Sequence, residues 1–228
     1  MEKTRSFDNI IWQALSTRLS AFAQSFGAVK RFVSDVGPLA ALKTYDDEGY
    51  ESLTELASTD IVALFLNEPW QPRADWQVTS GAPLVRMVKE DDASNISNMT
   101  SSIVPLNKEQ MPDMLSLATL TKPGPFGTRT HELGNFFGIY HEGLLAAMAG
   151  ERLKIPGYTE ISAVCTHPSH LGKGYAAALT QKVADGIATR GETAFLHVRG
   201  DNQRAIDVYA RLGFCKQWSG YFVALQRT

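Results

Sequence analysis

The stretch that most limits how this chain folds is Ile161-Ser162-Ala163-Val164-Cys165-Thr166-His167-Pro168-Ser169-His170-Leu171-Gly172-Lys173-Gly174-Tyr175-Ala176-Ala177-Ala178-Leu179. An apolar, strand-like run stops at a proline, a glycine turn follows, and a helical pattern begins at once. Glycines at a helix entrance gather unpaired backbone N–H groups at the positive end of the helix dipole, a setting that suits an anion such as a pyrophosphate. Two familiar phosphate loops do not fit. A dinucleotide fingerprint would need a third glycine and an acidic residue about twenty positions on, and a P-loop would need Ser or Thr after its lysine.

The elements around this turn alternate. Ile103-Val104-Pro105-Leu106 reads as a short edge strand, since proline forfeits a ladder donor, and Glu109 to Leu120 reads as a helix. Phe136 to Tyr140 and Leu144 to Gly150 flank His141-Glu142-Gly143 as a hairpin. Tyr158 to Thr166 reads as the next strand, and Gly174 to Arg190 as a helix stopped at Gly191. Thr193 to Val198 is a strand, Asn202 to Leu212 a helix and Tyr221 to Leu225 a last strand. The order β-α-β-β-β-α-β-α-β implies the α/β class, in its α+β form with a mixed sheet and helices on it.

Upstream, Asp8 to Ala23 carries apolar residues at 11, 12, 15, 19 and 22, one helix face with Asp8 as N-cap. Lys30 to Val36 is mixed, Glu48 to Ala57 reads as a helix, and Ile61 to Leu66 and Leu84 to Val88 read as strands. The run from Glu90 to Ser102 is acidic, then rich in Ser and Asn, and reads as a linker. The expected organisation is an N-terminal α/β lobe over 1–90, a linker over 91–102 and a second domain over 103–228.

With 44% hydrophobic and 20% charged residues and a formal net charge of −2, the chain gives no electrostatic reason to expect nucleic acid or an anionic membrane as partner. No apolar run reaches the roughly 18 residues of a membrane span, and Met1 to Asp8 lacks the pattern of a signal peptide, so a cytoplasmic protein is expected. Cys165 and Cys215 are too far apart for a zinc pair, and no metal site is expected. Cys165 reads as a strand core residue rather than a nucleophile, and His167 and His197 as structural. Association as a homodimer stays open.

The run Asn202-Gln203-Arg204-Ala205-Ile206-Asp207-Val208-Tyr209-Ala210-Arg211-Leu212-Gly213-Phe214 is close to a pattern Asn-x-x-Ala-x-x-x-Tyr-x-x-x-Gly-Phe. Together with the glycine turn it resembles the two cofactor-side motifs of the GNAT superfamily of acyl-CoA-dependent N-acetyltransferases. The resemblance covers residues 103–228 and is nearest to the subgroup that includes the C-terminal domain of glycine N-acyltransferase. It implies the GNAT fold, whose sheet splays after its fourth strand to admit acyl-CoA. By the same analogy, residues 1–90 are a candidate degenerate copy of that fold.

The resemblance also implies roles. The signature hexad is Leu171-Gly172-Lys173-Gly174-Tyr175-Ala176; Gly174 and Ala176 match it, whereas Leu171 stands where Gln or Arg is usual. Backbone groups of Val164, Cys165 and Thr166 would pair with the pantetheine arm. Asn202 would cap its helix and bond the same arm, Gly213 would form the left-handed turn, and Phe214 would be core. Tyr209 matches the tyrosine that protonates the leaving thiolate.

Transfer of an acyl group from a thioester to an amine needs a neutral amine, a donor for the oxyanion and a proton for the thiolate. Glu160 lies eleven residues before Leu171, the spacing of the catalytic glutamate in the family's histone-acetylating branch. It is read either as the base or as a strand carboxylate in a structural ion pair. Alternation places Glu160 and Ser162 on one face, with a bulge expected beyond them. In the loop Lys122 to Gly134, Arg129 and Glu132 are candidate acceptor contacts, Arg129 for a carboxylate, against the plainer reading of a rigid connection with a surface arginine. The expected activity is acetyl transfer from acetyl-CoA to an amine of a small molecule or amino acid by direct attack. The other reading is a non-catalytic acyl-CoA-binding module, and Ser/Thr O-acylation stays open.

Overall fold

Apolar runs of strand length recur along the chain, and eight of them close one sheet around the turn at Gly172–Gly174. The computed structural model describes residues 7–57, 60–90 and 103–228. In chain order the elements are α1 (Ile10–Ser16), β1 (Ala23–Phe26), β2 (Val29–Phe32), β3 (Ala40–Leu42), α2 (Asp47–Ala57), β4 (Val62–Leu66) and β5 (Trp76–Lys89). There follow β6 (Ile103–Leu106), α3 (Met111–Thr121), β7 (Phe136–His141), β8 (Leu144–Ile155) and β9 (Tyr158–Thr166). The chain closes with α4 (Tyr175–Ala188), β10 (Thr193–Arg199), α5 (Gln203–Arg211) and β11 (Phe214–Arg227). The large sheet runs β4-β11-β5-β10-β9-β8-β7-β6, and β1-β2-β3 form a separate three-stranded meander. Neighbours in the large sheet are antiparallel except β9 and β10, which are parallel.

Strand alternation sorts the sheet into two faces. Val85, Met87, Ile161, Leu196 and Val198 meet Leu179, Val183 and Ile187 of α4 and Tyr209 of α5 in one core. On the other face Val88, Leu153, Ile155 and Phe195 meet Ile10, Ile11, Ala14 and Leu15 of α1. Farther along, Met114 and Leu117 of α3 cover Met148 and Cys165. Leu53 of α2, with Val29 and Leu42 of the meander, covers Leu64 and Val223.

The hairpin at Glu142-Gly143 turns with both residues at positive φ (51° and 80°), the twist that suits a two-residue connection. Pro105 lies on β6 at the sheet's edge, where its missing N–H costs nothing. Three expectations change. The first helix begins at Ile10 behind Asn9, which is left-handed (φ 47°) and sends Nδ2 to the Leu42 carbonyl (2.6 Å), so Asp8 is not the cap. That helix stops at Ser16, where Thr17 Oγ1 bonds the Gln13 carbonyl (2.7 Å) and the chain turns toward β1. The strand expected at Leu84–Val88 is the inner end of the longer β5, whose outer half alternates weakly because Gln77 to Gly81 are exposed.

Residues 91–102, expected as a linker, lie outside the described residues. The strands on either side of them, β5 and β6, belong to the same sheet, and β5 lies between β10 and β11. Its register with β11 runs from Phe214↔Lys89 to Arg227↔Trp76, with shifts between Lys216 and Trp218 and between Ala224 and Leu225. Residues before position 90 therefore complete the sheet that the later residues build.

This arrangement predicts how the chain unfolds. Met87 of β5 is 2% exposed beneath α4, and Met87→Ala should cost about 2–5 kcal/mol by cavity formation. Urea unfolding followed by tryptophan fluorescence and by far-UV dichroism should show one shared transition, moved to lower urea. Two transitions, the later one unmoved, would mean that the halves fold apart.

Candidate functional site

Strands β9 and β10 stay in register over Thr193↔Tyr158, Ala194↔Thr159, Phe195↔Glu160 and Leu196↔Ile161, and then part. Beyond that point β9 keeps only β8 (Cys165↔Met148, Thr166↔Ala147), and β10 keeps only β5 (His197↔Arg86, Val198↔Val85). The cause is local. Ala163 takes a left-handed φ of 53°, and the β8–β9 register slips between Met148 and Gly150. A bulge of this kind bends its strand and interrupts pairing. The wedge it opens is edged by the backbone of Ser162 to Thr166, including Val164, Cys165 and Thr166.

At the wide end of the wedge lies the glycine turn. Gly172 and Gly174 sit at φ 80° and 78° with open space where a Cβ would stand, so backbone conformation rather than crowding demands glycine there. Gly174 precedes α4 with no side-chain cap, and the first turn holds no acidic residue. The N–H groups of Tyr175, Ala176 and Ala177 thus keep their donors for an anion. Leu171 is extended and 55% exposed, and an apolar side chain there adds no hydrogen bond to the turn. Lys173 Nζ is 3.0 Å from His170 Nδ1 and supplies a cation beside the turn. This donor set, backbone amides with one ammonium, matches a pyrophosphate and fits acyl-CoA.

On the helical face of the wedge, Asn202 Oδ1 caps α5 by accepting from Ala205 N (3.1 Å), Gly213 is left-handed (φ 79°) and Phe214 is buried. Tyr209 is 9% exposed, and burial together with the nearby Cys165 sulfur pushes its hydroxyl well above the ordinary range, so it stays protonated. Burial also raises the Cys165 thiol to about 11, which leaves it a poor nucleophile at neutral pH.

The opposite face carries a cavity of about 670 Å³ under the N-terminal elements, lined among others by Phe7, Tyr50, Phe65, Trp70, Arg86, His197 and Trp218. His197 is the first residue of β10 past the split. Its Nδ1 is 2.7 Å from Glu160 Oε1, and its Nε2 is buried with no protein partner. Glu160 is fully buried and receives Arg152 through Nε (2.9 Å) and Nη2 (2.8 Å) and the Leu153 N–H (3.2 Å). Burial alone would raise its pKa, but the Arg152 charge and the hydrogen bonds outweigh it and bring it down to about 2. Glu160 is therefore an ionised acceptor, so Nδ1 of His197 carries the proton and Nε2 holds a lone pair. Burial also lowers the pKa of His197, which keeps the ring neutral near pH 7.

Three sequence readings change here. Glu160 is the ion-paired carboxylate rather than a free base, because all its lone pairs are taken up by Arg152, Leu153 and His197. His197, read from sequence as structural, presents the free lone pair. Arg129 and Glu132 do not reach the cavity. They bind each other bidentately (2.9 and 2.8 Å) in a loop fastened to the meander side by Arg129 N–H to the Asp35 carbonyl (2.8 Å) and Thr130 Oγ1 to the Val36 carbonyl (2.7 Å). Among the described residues no group of His, Cys, Asp or Glu is placed to hold a metal ion, and no helix is long and apolar enough to cross a membrane.

Residues 136–223 match the family model of FR47-like proteins. A GNAT-family protein from Novosphingobium aromaticivorans is 33% identical, with 98% of this chain and 99% of that one aligned at a TM-score of 0.87. A GCN5-related N-acetyltransferase from Kribbella flavida is 17% identical over 97% of this chain and 96% of its own, with a TM-score of 0.62. A tandem GNAT protein of the clavulanic acid biosynthesis pathway is 14% identical over 89% and 79%, at 0.56. The last two share the fold. No curated protein matches the chain.

The buried ion pair has a pH signature. A carboxylate whose pKa falls from 4.5 unfolded to about 2 folded adds stability that is complete above the upper value and lost as pH drops through the lower one. Urea midpoints should therefore decline between these two values. Arg152→Met, which leaves Glu160 buried without its cation, should cost about 3–5 kcal/mol near neutral pH. It should also flatten or reverse the decline, because burial then holds the folded-state pKa up and stability is regained as pH falls. An unchanged acid profile in that variant would show that Arg152 does not hold Glu160 ionised.

Proposed function

The chain belongs to the GNAT family, and from that premise we propose that it moves an acetyl group from acetyl-CoA to the amine of a small molecule or amino acid by direct attack. The observation that carries the proposal is the split between β9 and β10. It has an uncapped helix N-terminus and Tyr209 on one face and the cavity with the His197–Glu160 pair on the other. The amide groups of Tyr175 to Ala177 and Lys173 would hold the pyrophosphate, and the free edge of Val164 to Thr166, with Asn202, would hold the pantetheine arm. Acetyl-CoA supplies the thioester carbon that the amine attacks.

His197 Nε2 takes a proton from the attacking amine, since an ammonium with a pKa near 10 is only about a thousandth deprotonated at neutral pH. Glu160 fixes the ring through Nδ1–H and stabilises the imidazolium that forms, and Arg152 keeps Glu160 charged. A backbone N–H at the Ala163 bulge, from Val164 or Cys165, faces the developing oxyanion. As the C–N bond forms and the C–S bond breaks, the Tyr209 hydroxyl protonates the departing sulfur. The motif resemblance to the subgroup that includes the C-terminal domain of glycine N-acyltransferase is the reason an amino acid is among the proposed acceptors.

Calorimetric titration with acetyl-CoA, against NADH as control, tests the cofactor assignment. Saturable binding weakened by Gly174→Asp is expected, and absence of binding would sink the proposal. With an acceptor in hand, His197→Gln should lower kcat by about 10²–10⁴ with acetyl-CoA affinity retained. The wild-type kcat profile should carry an acid limb below pH 6.5 that this variant lacks, following the lowered His197 pKa. Tyr209→Phe should slow turnover without loss of binding, and Cys165→Ala should retain it; inactive Cys165→Ala would point to a covalent acyl-enzyme instead.

A further inference from the structure

Three arginines are buried among the described residues: Arg31, Arg86 and Arg152. Arg31 has Asp60 at 2.9 Å and Arg152 has Glu160 at 2.8 Å. Arg86 has no carboxylate within ion-pair distance among the described residues. Its Nη1 donates to the Phe7 carbonyl at 3.3 Å, its guanidinium lies 4.4 Å from the Phe7 ring and 5.3 Å from that of Trp218, and its Nε is buried with no partner. A desolvated guanidinium without a directly paired anion is costly; burial lowers its pKa to about 10, and the charge of Asp8, which lines the same cavity beyond ion-pair distance, offsets this only in part. The group lines the cavity, where an anion can reach it.

Arg86 and His197 are also directly opposite each other in the β5–β10 register, so their side chains leave the same face of the sheet. Opposed Cβ atoms in an antiparallel pair stand about 5 Å apart. A ligand that offers an amine to His197 Nε2 and an anion to Arg86 must carry the two groups close together. Phe65, Trp70 and Trp218 give the wall an aromatic stretch, beside the charged Asp8, Lys43, Glu68 and Arg73, and the cavity of about 670 Å³ is far larger than a two-carbon ligand needs.

Resting on the acetyl-transfer reading above, we propose that the acceptor is a free α-amino acid with a bulky aromatic or apolar side chain. Its carboxylate pairs with Arg86, its amine faces His197 Nε2, and its side chain lies on the aromatic wall. Arg86 is then the specificity-determining residue. It excludes amines without a carboxylate because it would be left unpaired against them.

The test compares L-phenylalanine, phenethylamine and glycine as acceptors for the full chain with acetyl-CoA. L-Phenylalanine should exceed each of the others in kcat/KM by about 100-fold or more. Arg86→Gln should erase the preference over phenethylamine, Arg86→Lys, which keeps the charge, should retain part of it, and both should leave acetyl-CoA binding as in the wild type. Equal or better use of phenethylamine would overturn the role of Arg86, and equal use of glycine would overturn that of the aromatic wall. Titration of the wild type with N-acetyl-L-phenylalanine against N-acetylphenethylamine reads the same contact without turnover or a variant. Preferential binding of the carboxylate supports the inference even if no acceptor is acetylated, a result that would sink the acetyl-transfer reading alone. No binding, or no preference, overturns the inference.

Discussion

Two parallel strands that pair over four positions and then diverge must be held by whatever lies beside them. Beside β9 is β8, bent with it through the left-handed Ala163; beside β10 is β5, from the first part of the chain. The wedge between them is a fixed absence of hydrogen bonds in the middle of a sheet. Backbone polar groups seldom tolerate such an absence unless water or a ligand meets them. The candidate site residues are arranged around that opening: the amide donors of α4 at its mouth, Tyr209 on one face, and His197 on the other.

The chain Arg152–Glu160–His197 shows how one buried charge organises its surroundings. A carboxylate at zero exposure is tolerable only with its oxygens filled, and Arg152, Leu153 N–H and His197 Nδ1–H fill them. The consequence for His197 is tautomeric, because a ring that must give Nδ1–H to a carboxylate has its lone pair on Nε2. In the proposed reaction, fold stability and proton chemistry thus share the same three side chains.

What was legible in sequence was short-range. The His141-Glu142-Gly143 hairpin, the Asn202 cap, the left-handed Gly213 and the glycine entrance of α4 depend on residues within a few positions of each other, and all stand in the structure as read. The GNAT resemblance supplied the splay, which no periodicity encodes. The meander β1–β3 escaped notice because Ala23 to Phe26 is mostly exposed and its strands are short. The partners of Glu160 are Arg152, eight residues away, and His197, thirty-seven away, so only strand register could join them. A lone histidine in the run Phe195-Leu196-His197-Val198 carries no sign of its neighbour. Arg129 and Glu132 misled for the same reason: polar residues in a glycine- and proline-rich loop look available until each is seen to hold the other.

The placement of β5 has a further consequence, for synthesis on the ribosome. Trp76–Lys89 leaves the tunnel well before β10 and β11, the two strands it separates, have been made. Until then a strand with Leu84, Val85, Met87 and Val88 on it has neither of its sheet neighbours, and pairings this distant in sequence close slowly. An unpaired apolar strand is a template for wrong partners. The nascent chain must therefore wait, with β5 exposed, for β10 and β11 to arrive.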